Sequence, residues 1–150
     1  MTGTINEQSG RIPARKQGGT TSRRSKKGRE TYRVASHSIS PNLVERAEGL
    51  YKERRRRDAR MAGTSELFGE PSWDILLDLF VAHGKARPVS VSSACIASST
   101  PQSTALRYVG LLEKVGLIRR AKDPRDGRRH YLELTETGLS HMEAYLSEAI

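Results

Sequence analysis

The stretch "DPRDGRRHYLELT", residues 123 to 135, constrains the fold more than any other part of the sequence. Five charged residues, a proline and a glycine fill its first seven positions, and then polar and apolar residues alternate. Beyond the glycine, His130, Leu132 and Leu134 fall on one side and Tyr131 and Glu133 on the other, which is the period of a half-buried strand. "LIRRAK" before it supplies a partner, so a hairpin is predicted, with strand one over 117 to 122, "DPRDG" as the turn, and strand two running to Leu134. An isolated hairpin is marginal in water. The chain must therefore provide helices for it to pack on.

Helical periodicity begins at residue 40. Ser40 and Pro41 read as an N-cap and first helical position, and Leu43, Ala47, Leu50, Tyr51 and Arg54 then recur on one face of a helix ending near Gly63. Its second half, "KERRRRDAR", reads as a solvated face that extends a basic tail onto a rigid element. "GEPSWDILLDLFVAHGK", residues 69 to 85, carries the clearest amphipathic signal, with Trp73, Leu76, Leu77 and Phe80 as core residues between Pro71 and Gly84. "VSVSSACIASST", residues 89 to 100, is read as a short helix. Thr100 and Pro101 repeat the cap-and-start signature for a helix burying Ala105, Tyr108, Val109 and Leu112, which Gly116 ends in a left-handed conformation. Its opposite face carries Gln102, Ser103, Leu106, Arg107, Gly110 and Lys114. Thr135 caps a last helix with Leu139, Met142, Tyr145 and Leu146 on its apolar side.

Charge divides the chain differently. Residues 1 to 40 hold nine Lys or Arg against two acids, a net +7, whereas residues 63 to 150 have a net −1. A polar, charged N-terminal segment with so little apolar content cannot offset the entropy of ordering, so residues 1–38 are expected to be a disordered basic tail. "SRRSKKGR" within it is either a solubilising tail or an arm whose Arg23, Arg24, Lys26 and Lys27 neutralise phosphates without regard to sequence. Residues 39–63 then form an N-terminal helix, for dimerisation or linkage, and residues 64–150 the folded domain. The N-terminus has no apolar core of a secretory signal, no segment matches a membrane span, and little of the tail alternates as a transit peptide would. The expectation is an intracellular, cytoplasmic protein, nucleoid-associated if bacterial, without a membrane partner. Cys95 is the single cysteine, so no internal disulfide framework is possible.

Two short helices, the second with a polar outward face, followed at once by a charged hairpin, make a winged helix-turn-helix. The expected fold class is mainly α with a small β-hairpin. "STALRYVGLLEKVGLIRRAKDPRDGRRHYLELTETG", residues 103 to 138, resembles the MarR family of bacterial winged-helix transcription regulators. The resemblance rests on the leucine, glutamate and "GLI" closing the second helix, on "DP.D.R" in the wing, and on "LT..G" after it. It implies that Arg128 enters the DNA minor groove while Asp126 braces the wing, and that Gln102, Ser103, Thr104 and Arg107 face the major groove. The residue types suit these roles, since Gln and Arg read base edges, Ser and Thr fix phosphates, and a guanidinium suits the negative potential of a narrow minor groove. Arg125 and Arg129 complete the basic wing, and Gly127 is expected to turn the chain with φ > 0. Leu106 is read as touching a thymine methyl or packing on the wing, and Gly110 as admitting a close approach of DNA or another helix.

The sequence also departs from that family. About fifteen residues follow the wing, where the family commonly dimerises through longer C-terminal helices. Arg129 stands where a small residue is usual, and Ser98 and Ser99 stand where a leucine and a glycine are usual.

Enzyme chemistry has no signature here. His37, His83, His130 and His141 are scattered, and no metal-ligand spacing, acid pair, nucleophile elbow or phosphate loop is present, so neither catalysis nor a cofactor is expected. Cys95 reads as packing, with oxidation sensing as the sharper alternative. The leading expectation is sequence-specific binding of double-stranded DNA by a homodimer on an inverted repeat. The alternatives are a nonspecific architectural or RNA-associated protein dominated by its tail, and an adaptor using the winged helix to bind protein.

Overall fold

The computed structural model describes residues 37–148. The tail residues Arg23, Arg24, Lys26 and Lys27, and the expected disorder of the tail, lie outside them. Helix α1 spans Pro41–Arg60, and a 3-10 turn at Ser65–Phe68 leads to α2, Pro71–Gly84. A two-residue strand β1, Val89–Ser90, precedes α3, Val91–Ala97, and α4, Gln102–Lys114. The hairpin strands are β2, Ile118–Lys122, and β3, His130–Leu134, and α5 spans Glu136–Glu148.

Pro71 sets the first turn of α2, as its fixed φ allows. The sequence reads α2 as one apolar stripe, but Ile75, Leu79, Val81 and Ala82 are buried along with Leu76, Leu77 and Phe80. A helix buried nearly all round is the centre of its core. Around it pack α1, α3, α4, α5 and β3. Full burial of Phe80 alone contributes about 1.5–3 kcal/mol. Trp73 is only partly buried, lying edge-on to Tyr145 at 4.9 Å, and Tyr145 is half exposed rather than on the buried side of α5.

Helix α1 buries Val44 and Ala47 and rests Leu43, Leu50 and Tyr51 on the same core. Ser40 holds the N-cap position through its carbonyl, which accepts from Leu43 and Val44, while its hydroxyl turns to Asn42 instead of capping. The helix stops at Arg60, before the left-handed Gly63. The charged second half is not a purely solvated face. Arg54 and Arg55 both bind the carboxylate of Asp74, which is 1% exposed on α2, with Arg55 at 2.6 Å. The sequence places Arg54 on the face of α1 that carries Leu50 and Tyr51 but reads the run as solvated, because this partner lies some twenty residues downstream.

The sheet is three-stranded and antiparallel in the order β1-β3-β2. Val89 pairs with Leu132, and Ile118 with Leu134, so the buried sides of all three strands meet on the helices. This satisfies the hairpin's need for a partner layer. Strand β1 is too short to show periodicity in the sequence. Helix α3 is capped by Ser90, whose hydroxyl accepts from the Ser93 N–H at 3.1 Å.

Helix α4 begins one residue later than the sequence suggests. Pro101 takes the N-cap position in an extended conformation, and among the described residues no side chain caps the helix. Thr100 does not cap it because its hydroxyl pairs with that of Ser98, 3.0 Å away inside the turn. At the other end Gly116 is left-handed, φ 77°, as expected.

Candidate nucleic-acid interface

The outward side of α4 is the one the sequence assigns. Gln102, Ser103, Leu106 and Arg107 are exposed and Thr104 is half-buried, while Ala105, Val109 and Leu112 hold the helix to the core. Tyr108 is only partly buried, and the Arg107 guanidinium lies over its ring at 5.4 Å. This contact steadies a flexible side chain on the exposed face. Gly110 is exposed, and among the described residues nothing lies near its absent Cβ and no helix approaches it.

The wing tip contains Arg125, Asp126, Arg128 and Arg129, all exposed. Asp126 braces it through the main chain: its Oδ1 accepts from the Arg128 N–H at 3.0 Å, and its carbonyl from the Arg129 N–H at 3.0 Å. Among the described residues no ion pair joins the Asp126 carboxylate to the Arg128 guanidinium. Gly127 does not have a positive φ, contrary to expectation. Seven residues separate β2 from β3, and a loop of that length reverses without the left-handed glycine that a two-residue turn demands.

The stronger brace is Asp123, to which the sequence assigns no role. It is 8% exposed; its Oδ1 accepts from the Arg125 N–H at 2.8 Å and its Oδ2 from the Tyr131 hydroxyl at 2.9 Å. The Arg125 N–H, with help from the Tyr131 hydroxyl, holds the Asp123 carboxyl below its ordinary value. Asp123 N–H donates to the Arg129 carbonyl, closing the base of the loop. Arg129, which departs from the resembled pattern, is exposed; the Tyr131 oxygen first, and the Asp123 charge with it, raise its guanidinium above the usual value. The one signal for this brace in the sequence is the Asp-Pro pair, a turn initiator whose side chain bonds the backbone two residues on.

Charge is polarised across the domain. Residues 102 to 130 carry eight Lys or Arg against three acids, net +5, while the rest of residues 63 to 150 carry two against eight, net −6. Arg119 is paired with Glu133 at 2.9 Å and Arg120 with Glu113 at 3.0 Å. Arg125 and Arg128 have no ion-pair partner among the described residues.

Elsewhere the chemistry is quiet. Among the described residues no group of His, Cys, Asp or Glu could hold a metal ion, and no helix is long and apolar enough to cross a membrane. Cys95 is buried, and desolvation pushes its thiol up, the opposite of an activated thiolate. A cavity of about 810 Å³ opens between α1, α2 and α5, lined by Leu50, Arg54, Arg57, Trp73 and Tyr145 among others.

No family model matches the sequence, and no curated protein matches it. Solved structures to which the chain is similar include S. aureus MepR in its DNA complex, 20% identical, with TM-score 0.47, covering 70% of this chain and 80% of that one. The transcriptional regulator PA4135 is 22% identical, with TM-score 0.44, covering 73% and 74%. The heme sensor protein PefR, in complex with heme and carbon monoxide, is 22% identical, with TM-score 0.45, covering 71% and 69%.

Proposed function

We propose that this protein is a transcription regulator that binds double-stranded DNA sequence-specifically, with α4 in the major groove and the wing in the minor groove. One observation carries the reading: the net +5 is confined to α4 and the wing, where Arg125 and Arg128 find no ion-pair partner among the described residues, on a domain that is otherwise net negative. Such polarity orients the domain toward a polyanion before any base is read. Gln102 and Arg107 then read base edges, Ser103 and Thr104 hold phosphates, and Arg128 enters the minor groove while Asp126 and Asp123 shape the loop behind it. Arg125 and Arg129 add phosphate contacts, and Arg23, Arg24, Lys26 and Lys27 of the tail add sequence-independent ones. The resemblance of residues 103 to 138 to MarR-type regulators supports the same assignment, and with it a cytoplasmic homodimer on an inverted repeat, residues 64–150 serving as the DNA-binding domain.

Selection from a random duplex library with the full chain tests this. The expected product is an inverted repeat, bound more tightly than random duplex, with Arg128→Ala weakening the preference. Deletion of residues 1–38 is expected to lower affinity for all duplexes alike and flatten the salt dependence. Equal affinity for selected and random duplexes would overturn sequence-specific binding and leave the architectural reading.

A further inference from the structure

The last four carbonyls of an α-helix have no partner within it. In α3 these belong to Ala94, Cys95, Ile96 and Ala97. The turn that follows satisfies three: Ser98 N–H donates to Ala94 at 3.1 Å, the Ser98 hydroxyl to Cys95 at 2.7 Å, and Ser99 N–H to Ile96 at 3.1 Å. The fourth is satisfied from outside the helix-turn-helix. The hydroxyl of Tyr51, on α1, donates to the Ala97 carbonyl at 3.2 Å.

Tyr51 is itself held in place. The Arg55 guanidinium lies 5.2 Å above its ring, and Arg55 is bonded at 2.6 Å to Asp74, which α2 buries. Burial raises the Tyr51 phenol above its ordinary value. The turn it grips contains Ser99 at φ 51°, a left-handed conformation that a residue with a Cβ adopts only against resistance. Gln102, the first residue of α4, lies three positions on.

We infer that Tyr51 is a positioning residue for the recognition helix: by holding the Ala97 carbonyl it fixes the α3–α4 turn from α1, so that α1 sets how α4 meets DNA. This rests on the DNA-binding reading above. It makes α1 part of the recognition unit in addition to any role in assembly.

Tyr51→Phe in the full chain removes the hydroxyl and keeps the ring. The Ser98 and Ser99 amides are expected to exchange hydrogen about three- to tenfold faster, with those of α5 unchanged. The ratio of affinities for selected and random duplex is expected to fall by a similar factor, with the salt dependence unaltered. Leu50→Ala, on the same helix and without a bond to Ala97, is expected to lower stability and keep the ratio. Unchanged exchange at Ser98 and Ser99 overturns the inference whatever the DNA does. A selective wild type whose ratio survives Tyr51→Phe overturns it alone. A wild type with no preference among duplexes overturns the functional reading, and with it the role of Tyr51 in recognition.

Discussion

Gly138 lies so close to the carbonyl of Leu117 that a Cβ on it would collide with that oxygen. The contact closes a junction between the end of α4 and the start of α5. Thr135 N–H donates to Leu117 at 3.0 Å, its hydroxyl donates to Gly116 at 2.6 Å, and the same hydroxyl oxygen accepts from the Gly138 N–H at 3.0 Å. "GLI" and "LT..G", which carry much of the family resemblance, are thus two sides of one structural stitch behind the wing.

Gly138→Ala should therefore destabilise the domain. Alanine normally gains about 0.5–1 kcal/mol over glycine within a helix. The collision with backbone opposes that gain and costs about 1–3 kcal/mol. Urea denaturation is expected to show a net loss of about 1–2 kcal/mol; a midpoint at or above wild type would mean that the junction gives way without strain.

Ser99 takes the left-handed conformation that suits a glycine, and Gly127, where the sequence leads one to expect it, does not. Ser99, at φ 51°, occupies a left-handed position, so Ser99→Gly should stabilise by about 0.5–1 kcal/mol despite the added freedom of the unfolded chain. Gly127 has no positive φ and open space around it, so Gly127→Ala should stabilise by about 0.4–1 kcal/mol. Thermal unfolding of the two variants decides both, and a large loss on Gly127→Ala would restore the tight-turn view of the wing.

What was legible in the sequence was what repeats. Helices α2, α4 and α5 show the 3.6-residue period over three or more turns with proline, glycine or threonine at their ends, and β3 alternates over five residues. Strand β1, two residues long, has no period to show. The outward residues of α4 were legible because they are the complement of its buried side. The wing's support was not. A "DG" pair suggests a tight turn, whereas the loop is closed by Asp123, whose partner Tyr131 lies across the hairpin. The pairing of Arg54 and Arg55 with Asp74 was hidden for the same reason, because a charge run does not disclose which of its members a distant carboxylate will claim.

Asp123 gives the wing a pH dependence with a definite sign. Its folded-state pKa is lowered from the ordinary value of 3.8, so its contribution is fully present above 3.8 and is lost as pH falls through the lower folded value. The Arg125 amide resonance should follow a titration whose midpoint lies below 3.8, and Asp123→Asn should abolish it. The same variant should weaken binding to selected duplex by about fivefold at neutral pH, because an amide offers one acceptor where the carboxylate serves two donors. A midpoint at or above 3.8 would show that the carboxylate does not hold the loop.

Asp74 is where α1 is most vulnerable. Its carboxylate binds two guanidiniums at the α1–α2 contact: Arg54, 11% exposed and also paired with Glu70, and Arg55, 24% exposed and also paired with Asp58. Among the described residues three nitrogens of those two arginines are already buried without a hydrogen-bond partner, and the other carboxylates they meet, Glu70 and Asp58, are both more exposed than Asp74. Removing the buried carboxylate leaves both guanidiniums with only their more exposed partners, and Asp74→Asn is expected to destabilise by about 3 kcal/mol. Arg56, which is 73% exposed and among the described residues pairs only with Glu53 of its own helix, at 3.5 Å, provides the contrast. Arg56→Ala should change stability by no more than about 0.5 kcal/mol. Chemical denaturation of the two variants measures the difference directly. Equal, small effects would return the whole arginine run to solvent, whereas the expected disparity makes Arg54 and Arg55 the anchor that holds α1, and with it Tyr51, against the helix-turn-helix.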